Sequence, residues 1–221
     1  MSALRQALEE ELRRFSAEDA HGEVCVLGDG KPLREAAEAG EVSLSPRDQG
    51  AARTVVQFLL DGMKDERGVH AESLVAMMGG IVGRAALREY EPEWRGVDAK
   101  FTVLLIEDVN RDLLRISEFI ESIYGGNSPE PIVVAEELPE IHAPNAGVLR
   151  FIEKGHAKVD AGLSQVEVEP GQKRWVLAYA LIQVLAMTRE ALPPPAAFRL
   201  ALRYMVRAAK TPAAHLPALK P

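Results

Sequence analysis

The chain has 221 residues, of which 47% are hydrophobic and 27% are charged, and its formal net charge is -7. This length supports one large domain or two small ones, and the composition excludes a disordered or fibrous protein. The acidic balance argues against a general affinity for nucleic acid, because binding to phosphates depends on Lys and Arg. The single cysteine, Cys25, excludes an intramolecular disulfide and a cysteine-only metal site.

The N-terminal part of the sequence predicts a helix, then a strand, then a second short helix. Ala3 to Phe15 has the leucine spacing of an amphipathic helix and no apolar signal segment, so we expect a cytoplasmic protein. Glu23 to Leu27 is predicted as a strand that closes on a glycine turn, and 33–39 as a helix. We treat residues 1–44 as an N-terminal subregion of a single helical domain that spans 1–221.

A strong helix start lies at "SPRD". Ser45 is the predicted N-cap, Pro46 the first helical residue, and Asp48 an acidic residue of the first turn. The apolar pattern extends this helix to about Glu66.

The next predicted helix, Val69 to Tyr90, contains Gly79, Gly80 and Gly83 in an apolar run. A phosphate-binding loop would need a strand before the glycines, and a membrane span would need about 20 apolar residues, so neither fits. A helix that is apolar nearly all round is buried. We therefore predict a glycine face that packs closely against a second helix, in the same chain or across a homodimer. The expected partner is the equally apolar segment Trp175 to Met187.

The second half of the chain is also mainly helical in pattern. Residues 101–109 and 132–135 fit a strand or a helix, and periodicity alone leaves both open. Helices are predicted over Leu113 to Ile123, Ala146 to Val159, Gln172 to Leu192 and Ala196 to Ala209. The fold class is therefore mainly α. We predict a bundle of about six to eight helices with two central all-apolar helices, and a minor strand pair formed by the Cys25 and Val133 segments.

Two Glu-x-x-His pairs, Glu18 with His21 and Glu153 with His156, have the spacing of metal ligands in helical bundles. They suggest a site for a divalent metal, and no other cofactor is indicated. The competing interpretation is a chance match, because each pair lies beside a glycine that is expected to end a helix rather than in mid-helix.

The C-terminal helix and tail, 193–221, hold five basic residues and no acidic residue. Four of the five recur at helical spacing: Arg199, Arg203, Arg207 and Lys210. One interpretation is a face that is solvated or neutralised by acidic surface nearby. The other is a docking face for an acidic protein partner or a phosphate-rich ligand.

Two function hypotheses follow from these patterns. The first is a non-enzymatic protein-interaction or structural module that acts as a homodimer, supported by the glycine face and the charge asymmetry. The alternative is a helical bundle with a small-ligand or metal site, enzymatic or not, built around the two Glu-x-x-His pairs. No motif assigns a catalytic residue or a membrane span.

Overall fold

Seven α-helices and one strand pair make up the part of the chain that the computed structural model describes, residues 2–18, 23–27, 42–89, 101–126, 131–145 and 147–212. The helices are α1 (Ala3–Glu18), α2 (Pro46–Met63), α3 (Ala71–Glu89), α4 (Glu107–Gly126), α5 (Val148–Gln165), α6 (Pro170–Thr188) and α7 (Pro194–Lys210). The prediction of a mainly α bundle of six to eight helices is confirmed. The helix predicted at 33–39 lies outside the described residues.

The start of α2 shows how local chemistry sets a helix boundary. The Ser45 hydroxyl accepts a hydrogen bond from the backbone N–H of Asp48 at 3.1 Å, and the Asp48 carboxylate accepts one from the backbone N–H of Ser45 at 3.2 Å. Two backbone donors that the helix cannot satisfy itself are thereby paired. Pro46 follows as the first helical residue, as predicted.

The strand pair differs from the prediction in its second member. β1 (Glu23–Leu27) pairs in parallel with β2 (Phe101–Ile106), and α4 begins at the next residue, so residues 101–109 are divided between a strand and a helix. The prediction that the Val133 segment pairs with β1 is wrong, because 131–135 has no regular structure. There the backbone N–H of Ala135 donates to the carbonyl of Pro195.

The two all-apolar helices lie at the centre of the bundle. Every residue of α3 from Ser73 to Leu87 is buried, and α3 packs against α5, α6 and α7. In α6, most residues from Trp175 to Leu185 are buried, between α2 on one side and α3 and α4 on others. This agrees with the prediction that helices without a polar face belong in the core.

The glycine face of α3 lies against α7 of the same chain. A Cβ atom at Gly79 would lie 2.5 Å from the carbonyl oxygen of Ala201, and one at Gly83 would lie closer still to the carbonyl oxygen of Met205. A Cβ at Gly80 would meet the side chain of Ile152 on α5. Both glycines that face α7 therefore stand where two helix backbones touch.

The partner expected for the glycines, Trp175 to Met187, is not the segment that covers them. That segment forms most of α6, which also packs against α3, but the backbone atoms that meet Gly79 and Gly83 belong to α7. The prediction of the partner is corrected accordingly. The physical reason is that an all-round apolar pattern predicts burial but does not specify which neighbouring helix approaches the glycines, and both α6 and α7 pack against α3.

None of the helices within the described ranges is long and apolar enough to cross a membrane.

The glycine contacts predict that alanine destabilises the fold at a closely packed glycine and stabilises it at an open one. Gly83→Ala should lower the free energy of unfolding by about 1–3 kcal/mol, because the added methyl group overpacks against the Met205 backbone. Gly50→Ala on α2 should raise it by about 0.5–1 kcal/mol, because nothing lies within 4 Å of its Cβ position and alanine favours the helix. Urea denaturation measures both. Equal effects of the two variants would contradict the close approach of α3 and α7.

Candidate functional site

A cleft of about 410 Å³ between α3, α5 and α6 is lined mainly by charged residues, and we call it the charged cleft. Its charged lining residues are Arg88 and Glu89 from α3, Glu153 and Asp160 from α5, and Lys173 and Arg174 from α6. His156 also lines the cleft. The cleft thus contains one of the two Glu-x-x-His pairs that the sequence singled out.

Glu153 projects from α5 toward two arginines of α3. Its Oε2 atom lies 2.7 Å from Nε of Arg84, and its Oε1 atom accepts a hydrogen bond from Arg88. Burial alone would raise the pKa of the Glu153 carboxyl, but the two guanidinium groups outweigh it and hold the pKa below its usual value. Glu153 is therefore a carboxylate at neutral pH.

Arg84 is fully buried and joins three helices. One guanidinium nitrogen donates to the carbonyls of Ala208 and Thr211 at the end of α7, at 3.2 and 2.9 Å, while Nε faces Glu153. A buried guanidinium needs such partners, because an unpaired charge in the interior is very costly. Arg84 fixes α5 and the C-terminus of α7 to α3.

His156 lies one turn beyond Glu153 and is 6% exposed. Burial, together with the positive charge of Arg84 and against the opposing effect of Glu153, lowers the pKa of the imidazole to about 4. The ring is therefore neutral at physiological pH. A neutral imidazole offers one hydrogen-bond donor and one acceptor.

Arg174 stands at the other wall of the cleft. Its guanidinium lies 3.5 Å from a Glu89 oxygen and 3.4 Å from a carboxylate oxygen of Asp112, with its Cζ atom 5.4 Å from the centre of the Trp175 ring. The Asp112 side chain is 1% exposed, and burial raises its pKa to about 6 although Arg174 opposes the shift. Neither carboxylate oxygen of Asp112 accepts a hydrogen bond from the described residues.

The four residues of the predicted metal site are not all placed by the structure. Glu153 and His156 share one face of α5, whereas the side chain of Glu18 and the whole of His21 lie outside the described residues. In the part of the chain that is described, no group of three or more His, Cys, Asp or Glu residues is arranged to hold a metal ion. Two arginines already pair with the Glu153 carboxylate, so this carboxylate is not free to bind a cation.

The basic residues of α7 are largely covered by the chain itself. Arg199 is 2% exposed, and two of its guanidinium nitrogens donate to Glu10 and Glu11 of α1, each at 3.1 Å. Arg203 is half-buried, with Nε 3.9 Å from Glu11. Lys210 is 2% exposed, and burial lowers the pKa of its amine to about 8.

Arg199 and Lys210 therefore do not lie on an exposed docking face, which corrects that interpretation for these two residues. Arg207 is half-buried on the same helix. The arrangement at Arg199 matches the other interpretation, in which acidic surface neutralises the basic face.

Sequence reasoning did not select Arg84, Asp112 or Arg174. Each is a charged residue beside or within an apolar helical stretch, and such a residue requires an internal partner of opposite charge. That signal was present in the sequence, but the identity of the partner was not.

Comparison with family models, curated proteins and solved structures finds no match for this chain.

Loss of Arg199 should destabilise the fold strongly. Arg199→Met removes the hydrogen-bonded guanidinium from the buried Glu11 carboxylate and leaves only Arg203 at 3.9 Å, so the free energy of unfolding should fall by about 3 kcal/mol. Arg47→Met is the matched control, because Arg47 is 58% exposed in its ion pair with Glu167 and such pairs contribute less than about 1 kcal/mol. Chemical denaturation gives both values. Similar losses for the two variants would show that Arg199 is not a buried ion-pair partner.

Asp112 and His156 should make opposite contributions to the pH dependence of stability. The pKa of Asp112 is raised from 3.8 to about 6 on folding, so its contribution is present below pH 4 and is lost as the pH rises through 6. The pKa of His156 is lowered from 6.5 to about 4, so its contribution is present above 6.5 and is lost as the pH falls through 4. Each slope reaches at most about 1.4 kcal/mol per pH unit.

Single substitutions of Asp112 and His156 distinguish their contributions to the pH dependence of stability. Between pH 4 and 6, the free energy of unfolding of Asp112→Asn should rise with pH more steeply than that of the wild type, and that of His156→Gln less steeply. Urea titrations at several pH values within this window measure the slopes. Parallel curves for all three proteins would contradict the assigned pKa shifts.

Proposed function

We propose that the charged cleft binds a small anionic ligand that carries a carboxylate or phosphate group, and that the chain is a helical ligand-binding protein. The observation that carries this proposal is the incomplete hydrogen bonding of the Arg174 guanidinium. Its two carboxylate neighbours lie at 3.4 and 3.5 Å, and its Nε atom donates no hydrogen bond to the described residues.

An arginine that lacks short hydrogen bonds to its carboxylate neighbours can bind an oxyanion. The guanidinium fork matches a carboxylate or phosphate with two parallel hydrogen bonds, and such charge-assisted bonds are shorter than the contacts that Arg174 makes within the chain. The Arg174 side chain is 18% exposed and lines the cleft, while its Nε atom is buried.

Other residues of the lining can add contacts to such a ligand. Arg88 and Lys173 lie in the same lining, where they pair with Glu153 and Asp160, and the neutral ring of His156 can donate a hydrogen bond to the ligand or accept one from it. The volume of about 410 Å³ falls within the range of small-molecule sites. This is the small-ligand alternative of the sequence analysis, with an anion in place of a metal.

The interaction-module hypothesis loses two of its supports. The glycine face is covered by α7, and Arg199 and Lys210 are covered within the chain, so these features do not call for a homodimer or an acidic protein partner. Homodimerisation, an acidic partner and a cytoplasmic location stay predictions from the sequence.

Anion-dependent thermal stabilisation tests the proposal. Phosphate or succinate at millimolar concentration, against sodium chloride of equal ionic strength, should raise the melting temperature of the wild type by about 5 °C near saturation. Arg174→Gln should abolish this rise, and Arg174→Lys should weaken it, because lysine keeps the charge but lacks the planar fork.

Arg47→Gln, at an exposed ion pair, is the control and should retain the full rise. The proposal fails if neither anion stabilises the wild type beyond the chloride control. It also fails if the rise persists in Arg174→Gln, which would place the anion elsewhere and leave the cleft as an ion-pair network between helices.

A further inference from the structure

A second cavity, of about 370 Å³, lies between α2, α3 and α5, and we call it the apolar groove. It shares α5 with the charged cleft but uses the opposite face of that helix. Phe151, Lys154, Gly155 and Lys158 line the groove, whereas the cleft takes residues 153, 156, 157 and 160. Because a helix turns by 3.6 residues, these two sets point in opposite directions.

Two exposed phenylalanines mark the apolar groove. Among the phenylalanines whose side chains the structure describes, Phe15, Phe119 and Phe198 are buried, while Phe58 is 42% and Phe151 is 58% exposed. Both exposed rings line the groove. Exposed apolar side chains that converge on one concave surface indicate a binding site, whereas single scattered ones do not.

Two lysines of α5 lie along one edge of the groove. Lys154 and Lys158 are exposed and stand one turn apart on α5. Over the described ranges, no carboxylate forms an ion pair with either of them, whereas Glu153 and Asp160 of the same helix are paired on the cleft face. The apolar groove therefore combines aromatic walls with unneutralised positive charge along one edge.

We propose that the apolar groove binds a small anionic amphiphile, a medium-chain carboxylate in chemical class. The hydrocarbon part packs between Phe58 and Phe151, and the anionic head pairs with Lys154 and Lys158. Burial of hydrocarbon contributes about 0.8 kcal/mol for each methylene group, so chain length sets the affinity. The lysine charges select an anionic over a cationic head.

Gly62 offers a way to block the groove without disturbing the fold. It lies on α2 within the groove lining, and nothing stands within 4 Å of the position that its Cβ would take. A leucine there extends into the open groove and favours the helix over glycine. Gly50, on the same helix and outside the groove lining, also has nothing within 4 Å of its Cβ position, so Gly50→Leu is the matched control.

Isothermal titration calorimetry with three probes tests the proposal on the full chain. Decanoate should bind the wild type saturably with one site per chain. Butyrate, which has the same head, should bind at least about tenfold more weakly because it buries less hydrocarbon. Decylammonium, which has the same tail length, should also bind at least about tenfold more weakly because its head is repelled by the lysines.

Three variants locate the site. The double variant Lys154→Glu with Lys158→Glu should lose about tenfold in decanoate affinity and bind decylammonium better than the wild type does. Gly62→Leu should lose decanoate binding while its melting temperature equals or exceeds that of the wild type. Gly50→Leu should bind decanoate as the wild type does.

Two results would overturn the proposal. Equal affinities for decanoate and decylammonium would show that the lysines select no charge and that the groove is merely apolar. Undiminished decanoate binding by a folded Gly62→Leu would place the ligand outside the groove. Arg174→Gln should leave decanoate binding unchanged, so failure here and failure of the anion site in the cleft are told apart.

Discussion

The contact between the backbones of α3 and α7 determines the arrangement of the remaining helices. Gly79 and Gly83 allow this contact, and Arg84, the residue after the second glycine, is thereby carried into the interior with its charge. A buried guanidinium must find acceptors, and here they are carbonyl groups at the end of α7 and the carboxylate of Glu153. Glu153 supplies that carboxylate from α5, and both cavities lie along α5.

The helix α5 separates two environments of different chemistry. One face carries carboxylates and a neutral imidazole among arginines, and the other carries an exposed aromatic ring and two exposed lysines. The buried stripe of α5, which includes Leu149, Ile152 and Val159, packs toward the core between these two faces. In α5, both faces are only partly covered, because α2 and α6 approach it from different sides without closing over it. Two surfaces of different chemistry therefore lie on opposite faces of one helix.

The basic C-terminal helix illustrates how charge in a sequence differs from charge on a surface. The excess of arginine and lysine in α7 is compensated by α1, whose Glu10 and Glu11 lie against Arg199. Such pairs contribute through desolvated geometry rather than through long-range attraction, and they bring the two ends of the chain together. The positive charge that remains accessible in a concave site lies instead on α5 and α6, where the sequence shows no basic run.

Local sequence patterns predict the features that depend on neighbouring residues. The capping residues before α2, the periodicity of the helices and the all-round apolar character of α3 are local features, and the sequence alone predicts each of them. Glu153 and His156 were also selected from their spacing alone. Three further features depend on tertiary contacts: α7 meets the glycines, β2 pairs with β1, and arginines surround Glu153. These outcomes join segments far apart in the chain, and no local pattern specifies which of several compatible partners will pack best.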